Sequence, residues 1–202
     1  MKSATTDICR ELVKHPSIFV CYPKEPGFFR SELPAEKRAW YESLFEDAKA
    51  EQAVGDASTA YSKRHRWPEA AKRIQAEVPD ARIIYQVRDP LDRIVSEYGW
   101  GVMDHTYRHT SLEEVILSDD ANTLIETSRY LHNLEPFLDA FGPERVLVTF
   151  YEDYRVDRSA VLSQITGHLG LQSLEEAAAE EGSGGRHALP SVGRNYDRFW
   201  LS

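Results

Sequence analysis

The segment 88–98 combines residue types that bind phosphate. Arg88 directly follows the apolar run 83–87, and Ser96 lies further along the same segment. A β-rich run, then Asp89-Pro90, then a helical pattern is typical of a strand–loop–helix junction, and Pro90 suits the first helical turn. Arg88 then lies at the carboxyl end of a strand, where open α/β sheets bind ligands, and Ser96 lies about two helical turns on. A guanidinium and a hydroxyl facing one crevice predict a phosphate clamp.

A second anion-binding pattern opens the chain, where five residues precede or begin a predicted helix over 5–15: Lys2, Ser3, Ala4, Thr5 and Thr6. The unpaired N–H groups and the dipole of a helix N-terminus favour anions, and a nearby lysine and hydroxyls add donors. The alternative is a frayed terminus with an ordinary solvated lysine.

These two segments, together with Lys24-Glu25-Pro26-Gly27-Phe28-Phe29, resemble the sulfotransferase family that uses 3′-phosphoadenosine 5′-phosphosulfate (PAPS). The likeness is strongest to the heparan-sulfate-type and related bacterial members. Weaker similarities at 55–61, 151–153 and 169–171 extend it from residue 2 to about residue 171. Three motifs in the same order are far more specific than any one of them.

The resemblance implies a set of roles in an in-line sulfuryl transfer to a hydroxyl. Arg88 and Ser96 would hold the 3′-phosphate of PAPS, and residues 2–6 would hold its 5′ side. Lys2 would stabilise the leaving phosphate. Glu25 would act as the general base that removes the proton of the acceptor hydroxyl.

The chain departs from the family pattern at three positions. Ala4 stands where glycine is common, which narrows the permitted backbone angles. Gly27 replaces the histidine that usually follows the glutamate by two residues. Ala57 falls where several heparan-type enzymes have a catalytic lysine, so no role is carried over to it.

Each assignment has a plainer alternative. Arg88 could pair with Asp89 or Asp92, Ser96 could be an ordinary helix-face residue, and Glu25 could be a solvated loop charge. Two other functions also stay open. One is an ATP-using P-loop kinase, although no Gly-Lys-Ser/Thr order and no clear strand-end aspartate for Mg²⁺ are present. The other is a non-catalytic remnant that binds the product 3′,5′-bisphosphoadenosine (PAP).

The composition narrows the partners. A net charge of −9 and a pI near 5.3 disfavour nucleic acid and anionic membranes, which need a basic surface. We therefore expect a hydroxyl-bearing small molecule, glycan or lipid as acceptor. Two cysteines and scattered histidines predict no disulfide framework and no metal site, and no run is long enough for a membrane span. The expected setting is cytoplasmic.

The fold that must position these residues is a single α/β domain over 1–202, P-loop-like, with a central parallel sheet flanked by helices. Strands are predicted at 17–21, 53–54, 82–87 and 146–150, and helices at 5–15, 34–48, 67–78, 90–100, 112–117, 125–141 and 157–169. Residues 174–188 are predicted to form a mobile loop. Because only Met1 precedes Lys2, we expect the strand before the phosphate loop to be missing and the sequence to be clipped at its start. The sequence also stops soon after residues 196–200 with no Gly or Pro closure, so we expect it to be clipped at its end as well.

Overall fold

A five-stranded parallel sheet forms the centre of the molecule. The computed structural model describes residues 3–31, 35–48, 53–107, 110–118, 121–182 and 197–201. The strands are β1 (Ile18–Val20), β2 (Ala53–Asp56), β3 (Arg82–Val87), β4 (Val146–Phe150) and β5 (Asp197–Leu201), in the order β1-β2-β5-β3-β4. Every pairing is parallel, which confirms the predicted α/β class.

Helices flank the sheet. They are α1 (Thr5–Leu12), α2 (Ala35–Ser43), α3 (Ala70–Glu77), α4 (Pro90–Met103), α5 (Leu112–Ile116), α6 (Ala121–Ser128), α7 (Tyr130–Phe141), α8 (Tyr151–Val156), α9 (Arg158–His168) and α10 (Leu174–Gly182). Short 3₁₀ turns lie at Phe28–Arg30, Thr59–Ser62 and Pro143–Arg145.

The sheet has a buried cluster on each face. Ile84 joins the cluster with α1 and α9, whereas its neighbour Ile83 joins the cluster with α3 and α7. Successive side chains of a strand point to opposite faces, so both faces of β3 are covered. This explains why the strands read as continuous apolar runs rather than as an alternating pattern.

The helices predicted over 5–15, 34–48 and 67–78 are shorter in the structure, and two other predicted segments differ more strongly. The long helix predicted over 125–141 is divided at Arg129 into α6 and α7. The predicted loop over 174–188 is wrong for its first part, because α10 occupies Leu174–Gly182. The Ser173 hydroxyl caps that helix by accepting a hydrogen bond from the backbone N–H of Glu176. The Glu176 carboxylate in turn accepts one from the backbone N–H of Ser173. Residues 183–188 lie outside the described residues.

The strand β5 was not predicted, and it lies in the middle of the sheet between β2 and β3. Its backbone pairs with β2 from Ala53 to Asp56 and with β3 from Arg82 to Ile84. Trp200 is 3% exposed and joins the cluster that holds Ile83. The chain thus places its last described residues next to the strand ends that carry the candidate site.

Candidate functional site

The candidate site residues follow the carboxyl ends of the parallel strands. Glu25 lies in the loop after β1, Asp56 ends β2, and Arg88 directly follows β3. Because the strands run parallel, all three positions lie at one edge of the sheet, the edge at which α/β proteins bind ligands. The structure therefore brings the predicted base and the predicted phosphate-binding arginine to the same edge.

The carboxylate of Glu25 is held on both oxygens. Lys24 Nζ donates to Glu25 Oε1 at 2.9 Å, and Thr59 Oγ1 donates to Glu25 Oε2 at 3.0 Å. The Lys24 ammonium also lies 3.4 Å from the carbonyl oxygen of Ala57. The Glu25 side chain stays 41% exposed, so it is oriented by its neighbours and still open to a ligand.

A buried carboxylate ties the loops after β1 and β2 together. Asp56 accepts hydrogen bonds from the Ser58 N–H at 2.8 Å, from the Tyr61 hydroxyl at 2.7 Å and from the Tyr41 hydroxyl at 3.2 Å. The Ser58 hydroxyl in turn accepts from the Gly27 N–H at 2.8 Å.

Burial raises the pKa of Asp56 to about 6, although its hydrogen bonds from Ser58 and the two tyrosines act in the opposite direction. Asp56 is only 2% exposed, so its role is to hold the loops around the site in place. It does not reach a ligand itself.

Arg88 is packed at the end of β3. Its guanidinium stacks over the ring of Tyr151 at 4.6 Å, and Nη2 lies 3.4 Å from Asp92 Oδ2. The pairing with Asp92, one of the sequence-level alternatives, is therefore present. Asp92 is 65% exposed, and a single long contact of this kind contributes little. Ser96 is half-buried on α4, one turn beyond Asp92 on the same helix face.

The loop before α1 has a residue in the left-handed region directly ahead of the helix. Ser3 is fully buried, and Ala4 has a φ of 66°, in the left-handed region, so alanine takes a conformation that favours glycine. No side chain caps α1, which leaves its first N–H groups for a ligand. Thr5 is buried and Thr6 is exposed. Lys2 lies outside the described residues, so its predicted role stays a prediction.

Tyr130 lies between Arg88 and the loop before α1, and the sequence analysis did not single it out. Its hydroxyl accepts a hydrogen bond from the Arg88 N–H at 3.3 Å. Burial raises the pKa of Tyr130, while the Arg88 N–H and the nearby charge of Arg93 lower it, as does the adjacent Ser3 hydroxyl. A tyrosine in a helical pattern indicates core packing as readily as a site, so only the fold could reveal this link.

Arg93 has a structural role between two helices. It is fully buried, its Nε donates to Ser128 Oγ at 2.6 Å, and its Nη2 donates to the Leu124 carbonyl at 2.5 Å. These bonds fasten α4 to α6. Since α4 also carries Ser96, Arg93 helps to hold that predicted site residue in place.

A surface cavity adjoins the Glu25 loop. Its volume is about 570 Å³, and its lining includes Pro26, Gly27, Arg30, Lys37, Trp40 and Trp67. Trp40 is 44% exposed there, whereas its neighbour Tyr41 is buried. Arg30 stacks over Trp67 at 5.7 Å. Aromatic faces beside cations suit a sugar that carries an anionic group.

The family model described as "Sulfotransferase family" matches residues 67–176, more than half of the chain. The chain belongs to the sulfotransferase family. That match includes β3, Arg88 and Ser96, and hence the region assigned to the donor phosphate.

Individual sulfotransferases are also similar to this chain in sequence. The heparan sulfate glucosamine 3-O-sulfotransferase 3B1 of Mus musculus is 26% identical over 182 residues, which cover 86% of this chain and 45% of that protein. The membrane-associated sulfotransferase kil1 of Dictyostelium discoideum is 28% identical over 127 residues, or 56% of this chain and 26% of that protein. The chain thus spans less than half the length of these curated relatives.

Solved structures show the same fold. A sulfotransferase from Alicyclobacillus acidocaldarius superposes with a TM-score of 0.76 at 27% identity, over 85% of this chain and 78% of that one. The sulfotransferase domain from the curacin biosynthetic pathway gives a TM-score of 0.51 at 25% identity, over 66% of this chain and 44% of that one.

The described residues contain neither a membrane-spanning helix nor a metal-binding cluster. None of their helices has the length and apolar character needed to cross a membrane. Their His, Cys, Asp and Glu side chains form no group of three or more that could hold a metal ion.

Proposed function

We propose that this sulfotransferase-family chain, acting as a single domain, moves the sulfuryl group of PAPS to a hydroxyl acceptor. The observation that carries the proposal is the pair of contacts on Glu25, from Lys24 and Thr59, at the sheet edge where Arg88 directly follows β3. A general base and an anion-binding arginine at one edge are the parts that an in-line sulfuryl transfer needs.

The residues of the donor region suit the chemistry of PAPS, which carries phosphate at both ends. Arg88 and Ser96 would bind the 3′-phosphate, with Tyr151 and Asp92 fixing the guanidinium. The uncapped start of α1, with Ser3, Ala4, Thr5 and Thr6, would bind the 5′ side through N–H groups and hydroxyls. Lys2 would neutralise the charge that collects on the leaving phosphate.

Glu25 would take the proton of the acceptor hydroxyl while that oxygen bonds to sulfur. In the same step the bond from sulfur to the phosphate oxygen breaks, and its electron pair leaves with PAP. Lys24 and Thr59 would hold the carboxylate at the required angle. The Lys24 ammonium also contacts the carbonyl oxygen of Ala57. It thus places a positive charge beside a residue whose own side chain is uncharged.

Among the acceptors expected from the sequence, a glycan with few charges is favoured over a lipid or other small molecule. The cavity beside Glu25 offers Trp40 and Trp67 for stacking on sugar rings, and Arg30 and Lys37 for one or two anionic groups. A net charge of −9 opposes a densely charged polymer. We also propose that the protein resides in the cytoplasm, because Cys9 and Cys21 form no disulfide.

Calorimetric titration separates this function from the two alternatives. The wild-type chain should bind PAP without metal and should bind ATP with Mg²⁺ much more weakly, because Arg88 and Ser96 need a 3′-phosphate. Tight binding of Mg²⁺-ATP with no binding of PAP would instead support the kinase. Binding of PAP without any turnover of PAPS over a broad panel of alcohols and glycans would support the non-catalytic remnant.

A further inference from the structure

Lys63 is a half-buried lysine in the loop after β2. It directly follows the 3₁₀ turn Thr59–Ser62, and the Thr59 hydroxyl of that turn donates to the carboxylate of Glu25. Among the described residues, the Lys63 ammonium makes no hydrogen bond and no close ion pair. A cation that is partly removed from water without such a partner is unfavourable unless a ligand binds it. Lys63 is therefore a candidate ligand-binding residue beside the predicted base.

The backbone around Lys63 is held in place. The Lys63 N–H donates to the Ala60 carbonyl at 3.0 Å, and the Lys63 carbonyl accepts from the Arg66 N–H at 2.9 Å. The next residue, Arg64, donates from Nη1 to the carbonyl of His132 in α7, also at 2.9 Å. Lys63 thus extends from a fixed turn, which is what a residue needs if it is to meet a ligand at a defined position.

Charges on other elements surround the Lys63 ammonium. Burial lowers the pKa of Lys63, and the carboxylate of Glu97 on α4 raises it. The cations Arg66 and Arg93 lower this pKa as well, whereas Glu25 raises it. Lys63 therefore lies between the loop that carries the predicted base and the helix α4 of the predicted donor region.

Both carboxylates near Lys63 already have another cation. Lys24 Nζ lies 2.9 Å from Glu25 Oε1, and Nη1 of the fully buried Arg93 lies 3.8 Å from Glu97 Oε2. The charge of Lys63 is thus in excess of what these side chains need. An excess cation between a base and a donor region suits an anionic group that moves between them.

We propose that Lys63 is a further catalytic residue, whose ammonium binds the sulfuryl group while it is transferred. The proposal rests on the proposed function. As the acceptor oxygen bonds to sulfur and the bond from sulfur to the phosphate oxygen breaks, the other three sulfuryl oxygens carry negative charge. Lys63 keeps its proton and donates a hydrogen bond to one of these three oxygens. The acceptor proton still goes to Glu25, and the electron pair still leaves with PAP.

Lys63→Met tests this role, because it largely keeps the shape of the side chain and removes the ammonium. Turnover of PAPS with a glycan acceptor should fall by about 10²- to 10³-fold, the effect of removing one donor to a charged transition state. PAP lacks the sulfuryl group, so its affinity by calorimetry should stay within about twofold. Lys72→Met, at an exposed position of α3, is the matched control and should keep full turnover. Wild-type turnover in Lys63→Met would overturn the proposal.

A second pair of variants separates this role from a purely structural one. If Lys63 only compensated the charge of Glu97, adding Glu97→Gln to Lys63→Met would restore both the free energy of unfolding and turnover. We expect the double variant to turn over as slowly as Lys63→Met, at a temperature where both are folded. Lys63→Arg, which keeps the charge, should retain more turnover than Lys63→Met. Recovered turnover in the double variant would overturn the proposal.

Reductive methylation of lysine amines gives a readout on the unsubstituted chain. PAPS should slow methylation of Lys63 more than PAP does, because only PAPS carries the sulfuryl group, whereas exposed Lys72 should react at the same rate with either. Equal rates at Lys63 with PAPS and PAP would overturn the proposal. A wild-type chain that transfers no sulfuryl group to any acceptor would instead refute the proposed function, and with it the role of Lys63. Transfer by the wild type together with unimpaired Lys63→Met would refute the role of Lys63 alone.

Discussion

The hydroxyl of Thr59 donates a 3.0 Å hydrogen bond to the carboxylate of Glu25, although the two residues are 34 positions apart. The bond joins the loop after β1 to the loop after β2. With Lys24 on the other carboxylate oxygen, it sets the direction in which Glu25 faces the sheet edge.

Removing the Thr59 hydroxyl should therefore slow turnover without affecting the donor. Thr59→Val keeps the shape and deletes the bond, so kcat should fall by about tenfold, the effect of one lost hydrogen bond, while PAP affinity stays the same. The measurement is steady-state kinetics with calorimetry of PAP. Thr123→Val, which removes an exposed contact to Arg66, is the control and should leave both values unchanged. A Thr59→Val variant with wild-type kcat would show that Glu25 needs no such orientation.

Arg88 should recognise the 3′-phosphate. Arg88→Ala should weaken PAP binding by about 10- to 150-fold, the cost of 1.5–3 kcal/mol for a lost charged hydrogen bond. Binding of the analogue that lacks the 3′-phosphate should change far less. Arg145→Ala is the control. Arg145 directly precedes the amino end of β4, whereas the candidate site lies at the carboxyl ends of the strands, and it pairs with Asp80. Equal losses for PAP and the analogue would remove Arg88 from this role.

The fold was predictable where the chain forms strands from mostly apolar runs. The strands Arg82–Val87 and Val146–Phe150 consist mostly of apolar residues and were predicted with the bounds observed. β5 was not predicted, because its apolar part is limited to residues 199–201. The position of β5 in the sheet depends on its pairing with β2 and β3, which are distant in sequence. The local pattern of apolar residues does not encode such pairing.

The site was predictable only as far as the family motifs reach. Arg88, Ser96 and Glu25 stand in those motifs, and their roles stay proposals. Thr59 and Tyr130 were missed because their contacts to Glu25 and Arg88 span 34 and 42 residues. The one local signal was the threonine within the loop 55–61, and a threonine there equally well indicates a turn.

Asp56 should make stability depend on pH. Its pKa is about 6 in the folded protein against an ordinary value of 3.8, so the folded state binds the proton more tightly than the unfolded state. The resulting stabilisation is complete below pH about 4 and is lost as the pH rises through about 6, a change on the order of 2–3 kcal/mol. Asp56→Asn should remove this component.

Denaturant unfolding from pH 4 to pH 7.5 measures the effect as a difference in slope between wild type and Asp56→Asn. The exposed Asp80→Asn is the matched control and should keep the wild-type slope over this range. Identical pH profiles for wild type and Asp56→Asn would show that Asp56 ionises in the folded protein as it does in the unfolded chain.

The acceptor should be a glycan with little charge. At near-physiological ionic strength, labelled PAPS should modify neutral or singly charged glycans in preference to heparan-like chains, whose residual binding should fade steeply with salt. Trp40→Ala should raise the KM for the glycan by about tenfold and leave PAP binding intact, because it removes a stacking face from the cavity. Exposed Trp100 on α4 offers a control substitution. Preferential sulfation of the polyanion would contradict this prediction.

Transfer of labelled sulfur from PAPS to a hydroxyl acceptor tests the central claim most directly. Wild-type chain and Glu25→Gln are compared with the same glycan panel, and PAP binding is measured for both. The wild type should transfer the label, and Glu25→Gln should bind PAP normally while its turnover falls by roughly 10²- to 10⁴-fold. Glu69→Gln, on the exposed turn before α3, should keep full turnover. Near-normal turnover in Glu25→Gln would place the base elsewhere, with exposed His105 and then His109, outside the described residues, to be tested next. No transfer by the wild type to any acceptor would contradict the account as a whole.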